Sequence, residues 1–114
     1  MPHFIIDCSE NIVKQKDPIE IMEEVYHKAA STGLFVKNDI KVRIHPFRYY
    51  LSGTSSDDFI HIFGNIMEGR TTEQKRELSS AIISGLKIMF PDVPVISINI
   101  RDFEKATYCN KSML

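Results

Sequence analysis

The sequence predicts an α+β fold in which two successive strand–helix–strand units form a four-stranded sheet with two helices on one face. First, apolar and polar residues alternate along residues 40–45 and 96–100, as in half-buried strands. Second, two longer segments repeat apolar residues at helical spacing, and each follows a strand-like segment. Because the order strand, helix, strand occurs twice in 114 residues, we expect parallel strand pairs within each unit.

The first unit spans about residues 1–52. HFIIDC at 3–8 is rich in strand formers and predicts the first strand, and the polar stretch SENIVKQK follows it. Asp17 is suited to cap a helix that has Pro18 in its first turn, and Gly33 is placed to end that helix.

Residues 40–51, IKVRIHPFRYYL, predict the second strand. Ile40, Val42 and Ile44 share one of its faces. The opposite face is cationic at Lys41 and Arg43, and it either faces solvent or lines an anion site.

The second unit spans about residues 57–108. DFIHIFGNIME predicts the third strand, and Thr71 with Gln74 forms a capping box at the start of a long amphipathic helix that Pro91 ends. VPVISINIRDF predicts the fourth strand. We therefore predict a single domain over residues 1–114 with two repeated units, and we expect the sheet face without helices to be covered by self-association.

Composition narrows the class of partner. Hydrophobic residues at 43% and charged residues at 25% are typical of a globular protein. With 14 basic and 15 acidic residues the net charge is -1, which argues against nucleic acid or an anionic membrane and favours a small molecule or a protein. No apolar run approaches the roughly 20 residues of a membrane span, and no secretory signal is evident, so we expect a cytoplasmic location.

The two cysteines do not predict a cofactor or a metal site. Cys8 and Cys109 lie at opposite ends of the sequence, without C-x-x-C or zinc-like spacing. We interpret both as buried or incidental thiols.

The Met-Pro start has two interpretations. Proline is tolerated as the first residue of a strand, where the ladder does not need an N–H. Alternatively, removal of Met1 would give Pro2 a free secondary amine, which is a base and a nucleophile that an internal residue cannot supply. Burial and nearby cations would lower the pKa of such an amine toward neutrality and make it a competent general base.

Four stretches carry a resemblance to known enzymes. IMEGRTTEQKRELSSAIISGLK, residues 66–87, resembles the first loop and helix of the 4-oxalocrotonate tautomerase family. The opening MPHFIIDCSENI, the helix end ASTGLF and the strand KVRIH resemble the 5-carboxymethyl-2-hydroxymuconate isomerase family, in which two such units are fused.

The resemblance implies the tautomerase fold, a homotrimer, and a cofactor-free isomerase of aromatic-compound breakdown. Its implied substrate is a di- or tricarboxylate dienol, in which the amino-terminal Pro2 moves a proton. Arg70, in the E-G-R match, is implied to stabilise the negative charge that develops in the reaction. Substrate-binding roles are implied for Lys41, Arg43 and Tyr108.

Lys41 stands where the isomerase pattern has an arginine. Lysine keeps the charge but not the planar pair of donors that grips a carboxylate. Two alternatives therefore stay open: an enzyme of this fold that acts on another small enol or keto acid, and a trimeric binding protein without catalysis.

Overall fold

The computed structural model describes residues 1–53 and 57–114, and its elements follow the predicted order. In chain order they are β1 (His3–Ser9), α1 (Glu10–Gln15), α2 (Pro18–Ser31), β2 (Lys41–Phe47), β3 (Phe59–Met67), α3 (Thr72–Met89) and β4 (Val95–Phe103). Short 3₁₀ turns lie before β2, at Lys37–Asp39, and after β4, at Lys105–Thr107 and Lys111–Met113. The predicted fold class, two strand–helix–strand units with a four-stranded sheet, is confirmed.

The four strands form one mixed sheet in the order β2-β1-β3-β4. Strands are parallel within each unit, and the antiparallel β1–β3 pair joins the units. The register pairs His3 with Lys41 on one side and with Asn65 on the other. Pro46 is tolerated within β2 because β2 is an edge strand, whose outer N–H groups need no ladder partner.

The core lies between the sheet and the two long helices. It is formed by the side chains at alternate strand positions and by the apolar stripes of α2 and α3. Its fully buried large side chains include Phe4, Ile6, Ile21, Val25, Ile60, Ile62, Leu78, Ile82 and Leu86. The strand side chains at the other alternate positions, which no helix covers, therefore lie on the opposite face of the sheet.

The predicted helix signals are present as hydrogen bonds. The Asp17 side chain accepts a bond from the backbone N–H of Ile19 at 2.9 Å. Thr71 and Gln74 exchange both bonds of the capping box, at 2.9 and 3.1 Å. Gly33 adopts a φ of 72° just after α2, a conformation that glycine reaches without a side-chain penalty.

One local element was not foreseen, and one strand boundary was wrong. Residues 10–15, in the polar stretch that follows the first strand, form α1, because Ile12 is buried in the core. The second strand ends at Phe47 rather than at 51: Tyr49 and Leu51 are strongly exposed beyond it. These residues have strand propensity, but no neighbouring strand pairs with them.

The helix-free face of the sheet carries both apolar and polar side chains. Ile5 and Phe63 are register partners on this face. Nearby, the two ring nitrogens of His61 lie 2.7 Å from Ser97 Oγ and 2.6 Å from Asn99 Oδ1. The predicted partly apolar face therefore exists, but it carries satisfied polar groups as well.

Candidate active site

Pro2 lies at the beginning of β1, and its side chain is buried. Its carbonyl accepts a hydrogen bond from the backbone N–H of Lys41 at 3.0 Å. This bond extends the β1–β2 ladder by one step and ties Pro2 to the edge of the sheet. The starts of β1 and β2 and the ends of β3 and β4 meet at this edge, which we call the proline edge.

Lys41 is the first residue of β2, and its side chain turns toward the loop before that strand. Its ammonium lies 3.3 Å from the carbonyl oxygen of Asn38 and 3.4 Å from that of Asp39. Two backbone acceptors therefore hold the charge close to the proline edge. The ammonium can still present a donor to a ligand, since it has three.

Arg43 lies two residues further along the same exposed face of β2 and contacts His3 across the parallel pair. The distance from Arg43 Nη1 to His3 Nδ1 is 3.1 Å. Arginine can only donate, so His3 Nδ1 must accept, and this requires the neutral tautomer protonated at Nε2. Burial lowers the pKa of His3 from its ordinary value of 6.5, and the positive charges of Arg43, the amino group of Met1 and Lys41 lower it further.

We expect this pair to make stability depend on pH. In the unfolded chain, His3 takes up a proton near pH 6.5. In the folded chain its pKa is lower, so it takes up the proton only at a lower pH. The free energy of unfolding therefore falls as the pH drops below 6.5. In the His3→Asn variant, the side-chain amide oxygen can replace Nδ1 as the acceptor for Arg43, but the amide does not titrate. Urea unfolding at pH 7.5 and pH 5.0 should show a smaller pH-dependent loss for His3→Asn than for the unsubstituted chain. Equal losses would contradict this assignment.

Arg70 precedes α3 and reaches back to the first unit. Its Nη1 donates to the carbonyl of Met67 at 3.2 Å, and its Nη2 donates to that of Leu34 at 2.8 Å. The guanidinium also lies 5.0 Å above the ring of Phe35, which packs edge to face with Phe4 in the core. These acceptors explain how a cation is tolerated before a helix, where the macrodipole disfavours it. They use two of the five N–H donors of Arg70.

Tyr108 follows β4 and stacks on Phe103, with ring centroids 5.4 Å apart and an interplanar angle of 25°. It lines a cleft of about 480 Å³ at the proline edge together with Met1 and Met67. The same ring borders a second depression beside His3. The family resemblance implied a substrate-binding role for Tyr108 but none for the residues that follow it, which also line the cleft.

The five candidate residues thus share one edge of the sheet, but they do not form one cluster within the chain. Arg43 contacts His3 on the helix-free face, whereas Arg70 contacts Leu34 and Phe35 beside the helix layer. Pro2 precedes β1, the strand that carries the His3 partner of Arg43. The edge therefore carries several cationic side chains, which are suited to a substrate with several carboxylates.

Neither cysteine lines the cleft at the proline edge. Cys8 lies at the other end of β1, and burial, with the charges of Asp7 and Asp58, raises the pKa of its thiol to about 12. Cys109 is exposed. Within residues 1–53 and 57–114, no three histidine, cysteine or acidic side chains are grouped so that they could hold a metal ion. Nor does any described helix have the length and apolar character of a membrane span.

A polar cluster at the opposite edge of the sheet was not foreseen from the sequence. The carboxylate of Asp58 accepts bonds from Ser9, Asn11 and Gln15, at 2.8, 2.8 and 3.3 Å. The buried Ser9 hydroxyl also accepts from the backbone N–H of Phe59 at 3.3 Å. The cluster joins α1 to the start of β3 and has a structural role.

Comparison with known proteins gives a consistent picture. Residues 2–112 match the sequence profile of the 5-carboxymethyl-2-hydroxymuconate isomerase family. An Escherichia coli protein named 5-carboxymethyl-2-hydroxymuconate Delta-isomerase is 28% identical over 92 residues, which are 79% of this chain and 73% of the relative.

Solved structures share the fold. A 5-carboxymethyl-2-hydroxymuconate isomerase from Deinococcus radiodurans R1 superposes with a TM-score of 0.83 over 96% of this chain and 88% of its own, at 24% identity. A fused 4-OT, described as a symmetric trimer, superposes with a TM-score of 0.79 over 96% of this chain and 91% of its own, at 10% identity. At these identities the likeness concerns the fold alone.

Proposed function

The chain belongs to the 5-carboxymethyl-2-hydroxymuconate isomerase family, a family of enzymes, and from this premise we propose that it is a cofactor-independent isomerase in which Pro2 moves a proton within a dienol carboxylate. The observation that carries the proposal is the position of Pro2, which is buried at the sheet edge and bonded through its carbonyl to the backbone N–H of Lys41. The match to the family also begins at Pro2.

In the proposed reaction, removal of Met1 frees the secondary amine of Pro2. The neutral amine takes the proton from the enol hydroxyl at the 2-position, and the resulting ammonium returns a proton to the far carbon of the conjugated system. The hydroxyl becomes a ketone, the two conjugated carbon–carbon double bonds are replaced by a single one that lies between their former positions, and no atoms are gained or lost. Burial favours the neutral amine at the start of the cycle, because desolvation penalises the ammonium form.

The cations have separate tasks in this proposal. Arg70 stabilises the negative charge that develops on the oxygen at the 2-position, with the N–H donors that its two carbonyl bonds leave unused. Lys41, Arg43 and Tyr108 bind the substrate around the proline edge. We also propose that the molecule is a homotrimer in the cytoplasm, with the helix-free face of the sheet in the assembly.

The test is the ultraviolet-monitored conversion of 5-carboxymethyl-2-hydroxymuconate beside that of 2-hydroxymuconate. The protein is untagged, and its intact mass shows that Met1 is absent. We expect kcat/KM for the first compound to exceed that for the second by at least about tenfold, which corresponds to about 1.4 kcal/mol of transition-state binding. No turnover of either compound by this protein would reject the proposal.

A second candidate is an enzyme of the same fold that acts on another small enol or keto acid. The two backbone carbonyls that hold the Lys41 ammonium favour it, because a lysine so placed cannot grip a carboxylate with two parallel donors. A panel of small 2-hydroxy dienoates and 2-keto acids, followed by the same absorbance change, separates the two candidates.

A further inference from the structure

The segment Tyr108–Ser112, which follows β4, forms one wall of the cleft at the proline edge. Four of its five residues line this cleft of about 480 Å³, and Met1, Asp39 and Met67 form the remainder of the lining. Neither the sheet nor the helices require the segment to lie there, since it follows the last strand and has no strand partner. The position of the segment therefore points to a role in the cleft.

Contacts within the segment fix its shape. The Oδ1 atom of Asn110 accepts from the backbone N–H of Ser112 at 3.1 Å and from its hydroxyl at 2.7 Å. The amide nitrogen of Asn110 donates to the hydroxyl of Tyr108 at 3.4 Å, and Tyr108 is stacked on Phe103. The base of the segment is held where the backbone N–H of Lys105 donates to Glu68 at 2.6 Å. These bonds present the residue between Asn110 and Ser112 to the cleft.

Lys111 is that residue. Within residues 1–53 and 57–114, its ammonium forms no ion pair and no side-chain hydrogen bond. Lys41 and Arg70, in contrast, direct N–H groups to backbone carbonyls. Lys111 is therefore the cation in the cleft lining whose donors remain available to a ligand.

The cleft lining is also polarised. Asp39 is the acidic residue among its lining side chains, and Lys111 is the basic one. A ligand carboxylate is repelled by Asp39 and attracted by Lys111, so the electrostatics favour a carboxylate at the Lys111 end. An anionic group bound at Lys111 would lie at the segment wall.

We propose that Lys111 binds a carboxylate arm of the substrate that does not take part in the proton transfer, and that the segment Tyr108–Ser112 thereby selects tricarboxylates over dicarboxylates. This inference deepens the proposed function and rests on it. Lys111 acts on substrate binding, because the arm it holds is unchanged between substrate and product. Removal of its charge should therefore change KM and leave kcat nearly constant.

The experiment compares Lys111→Met, Lys111→Arg and Lys105→Met, with 5-carboxymethyl-2-hydroxymuconate and 2-hydroxymuconate as substrates. Lys105→Met is the matched control, because Lys105 precedes the same segment and its side chain does not line the cleft. We expect Lys111→Met to raise KM about tenfold for the tricarboxylate and less than about twofold for the dicarboxylate, with kcat within about twofold. Lys111→Arg should restore KM to within about threefold, and Lys105→Met should match the unsubstituted protein.

Equal KM changes for the two substrates, or none, would overturn the role of Lys111 even if the unsubstituted enzyme turns over both. If the unsubstituted protein turns over neither, the proposed function fails, and calorimetric titration with propane-1,2,3-tricarboxylate and with glutarate decides the inference separately. Tighter binding of the tricarboxylate that disappears in Lys111→Met supports it. Equal binding of the two compounds, or a preference that survives the substitution, overturns it.

Discussion

Replacing Pro2 with alanine is expected to lower kcat by about 10²–10⁴-fold, the range that a positioned general base contributes. The fold should persist, because β1 begins at His3 and its ladder does not use a Pro2 N–H. Alanine offers a primary amine after methionine removal, which explains why a residual rate is expected rather than none. The measurement is kcat with 5-carboxymethyl-2-hydroxymuconate, on protein whose intact mass is known.

Two controls make this result specific to the amine. Pro46→Ala removes an exposed proline from the edge strand β2 and should leave kcat within about twofold. Unsubstituted protein that retains Met1 keeps every side chain but converts the Pro2 nitrogen to an amide, and we expect it to be inactive. If the Met1-retaining form turned over substrate at the normal rate, Pro2 could not be the base.

Arg70→Met is expected to damage both stability and turnover. Two carbonyl oxygens, of Leu34 and Met67, lose a charged donor, and the Phe35 ring loses its cation, so the free energy of unfolding should fall by about 2–3 kcal/mol. Turnover should fall by at least about 10²-fold, because a preorganised donor to a developing oxyanion is typically worth that much. Urea unfolding and kcat/KM, the latter measured where the variant is fully folded, check the two effects separately.

Arg76→Met is the matched control for Arg70. Arg76 lies in the first turns of α3, and its bond to Glu73 at 3.1 Å is solvent-exposed, so its loss should change stability by less than about 0.5 kcal/mol. Arg70→Lys should recover part of the stability, because it keeps the charge but offers one nitrogen where Arg70 uses two for the carbonyls of Met67 and Leu34. Normal turnover by a destabilised but folded Arg70→Met would show that Arg70 has a structural role only.

The layout of the sheet and its long helices could be predicted because each depends on local patterns. Strand alternation, the Asp17 cap and the Thr71–Gln74 capping box are signals within a few residues of one another. The helix α1 could not be predicted in this way. It has six residues, no side-chain cap, and a single buried residue, Ile12, so tertiary burial determines it.

In the candidate site, too, some features could be predicted from the sequence and others could not. The sequence places Pro2, Lys41 and Arg43 at the starts of strands, and the parallel register then brings them to one edge. The acceptors of Arg70 could not be predicted, because Leu34 lies 36 residues earlier in the chain. The role proposed for Lys111 could not be predicted either, since a terminal polar segment gives no sequence signal for the stacking of Tyr108 on Phe103.

The central position of β1 bears on the order in which the molecule folds. Phe4 pairs with Val42 in one neighbour and with Gly64 in the other, so each side of β1 is completed by a strand from far along the chain. Non-local pairings of this kind require large loops to close before any pairing energy is gained, which slows folding. The helices can form early from local signals, but the strand that begins beside Pro2 becomes fixed only when both units have come together. The cleft therefore forms late in folding, and a partly folded chain lacks the site.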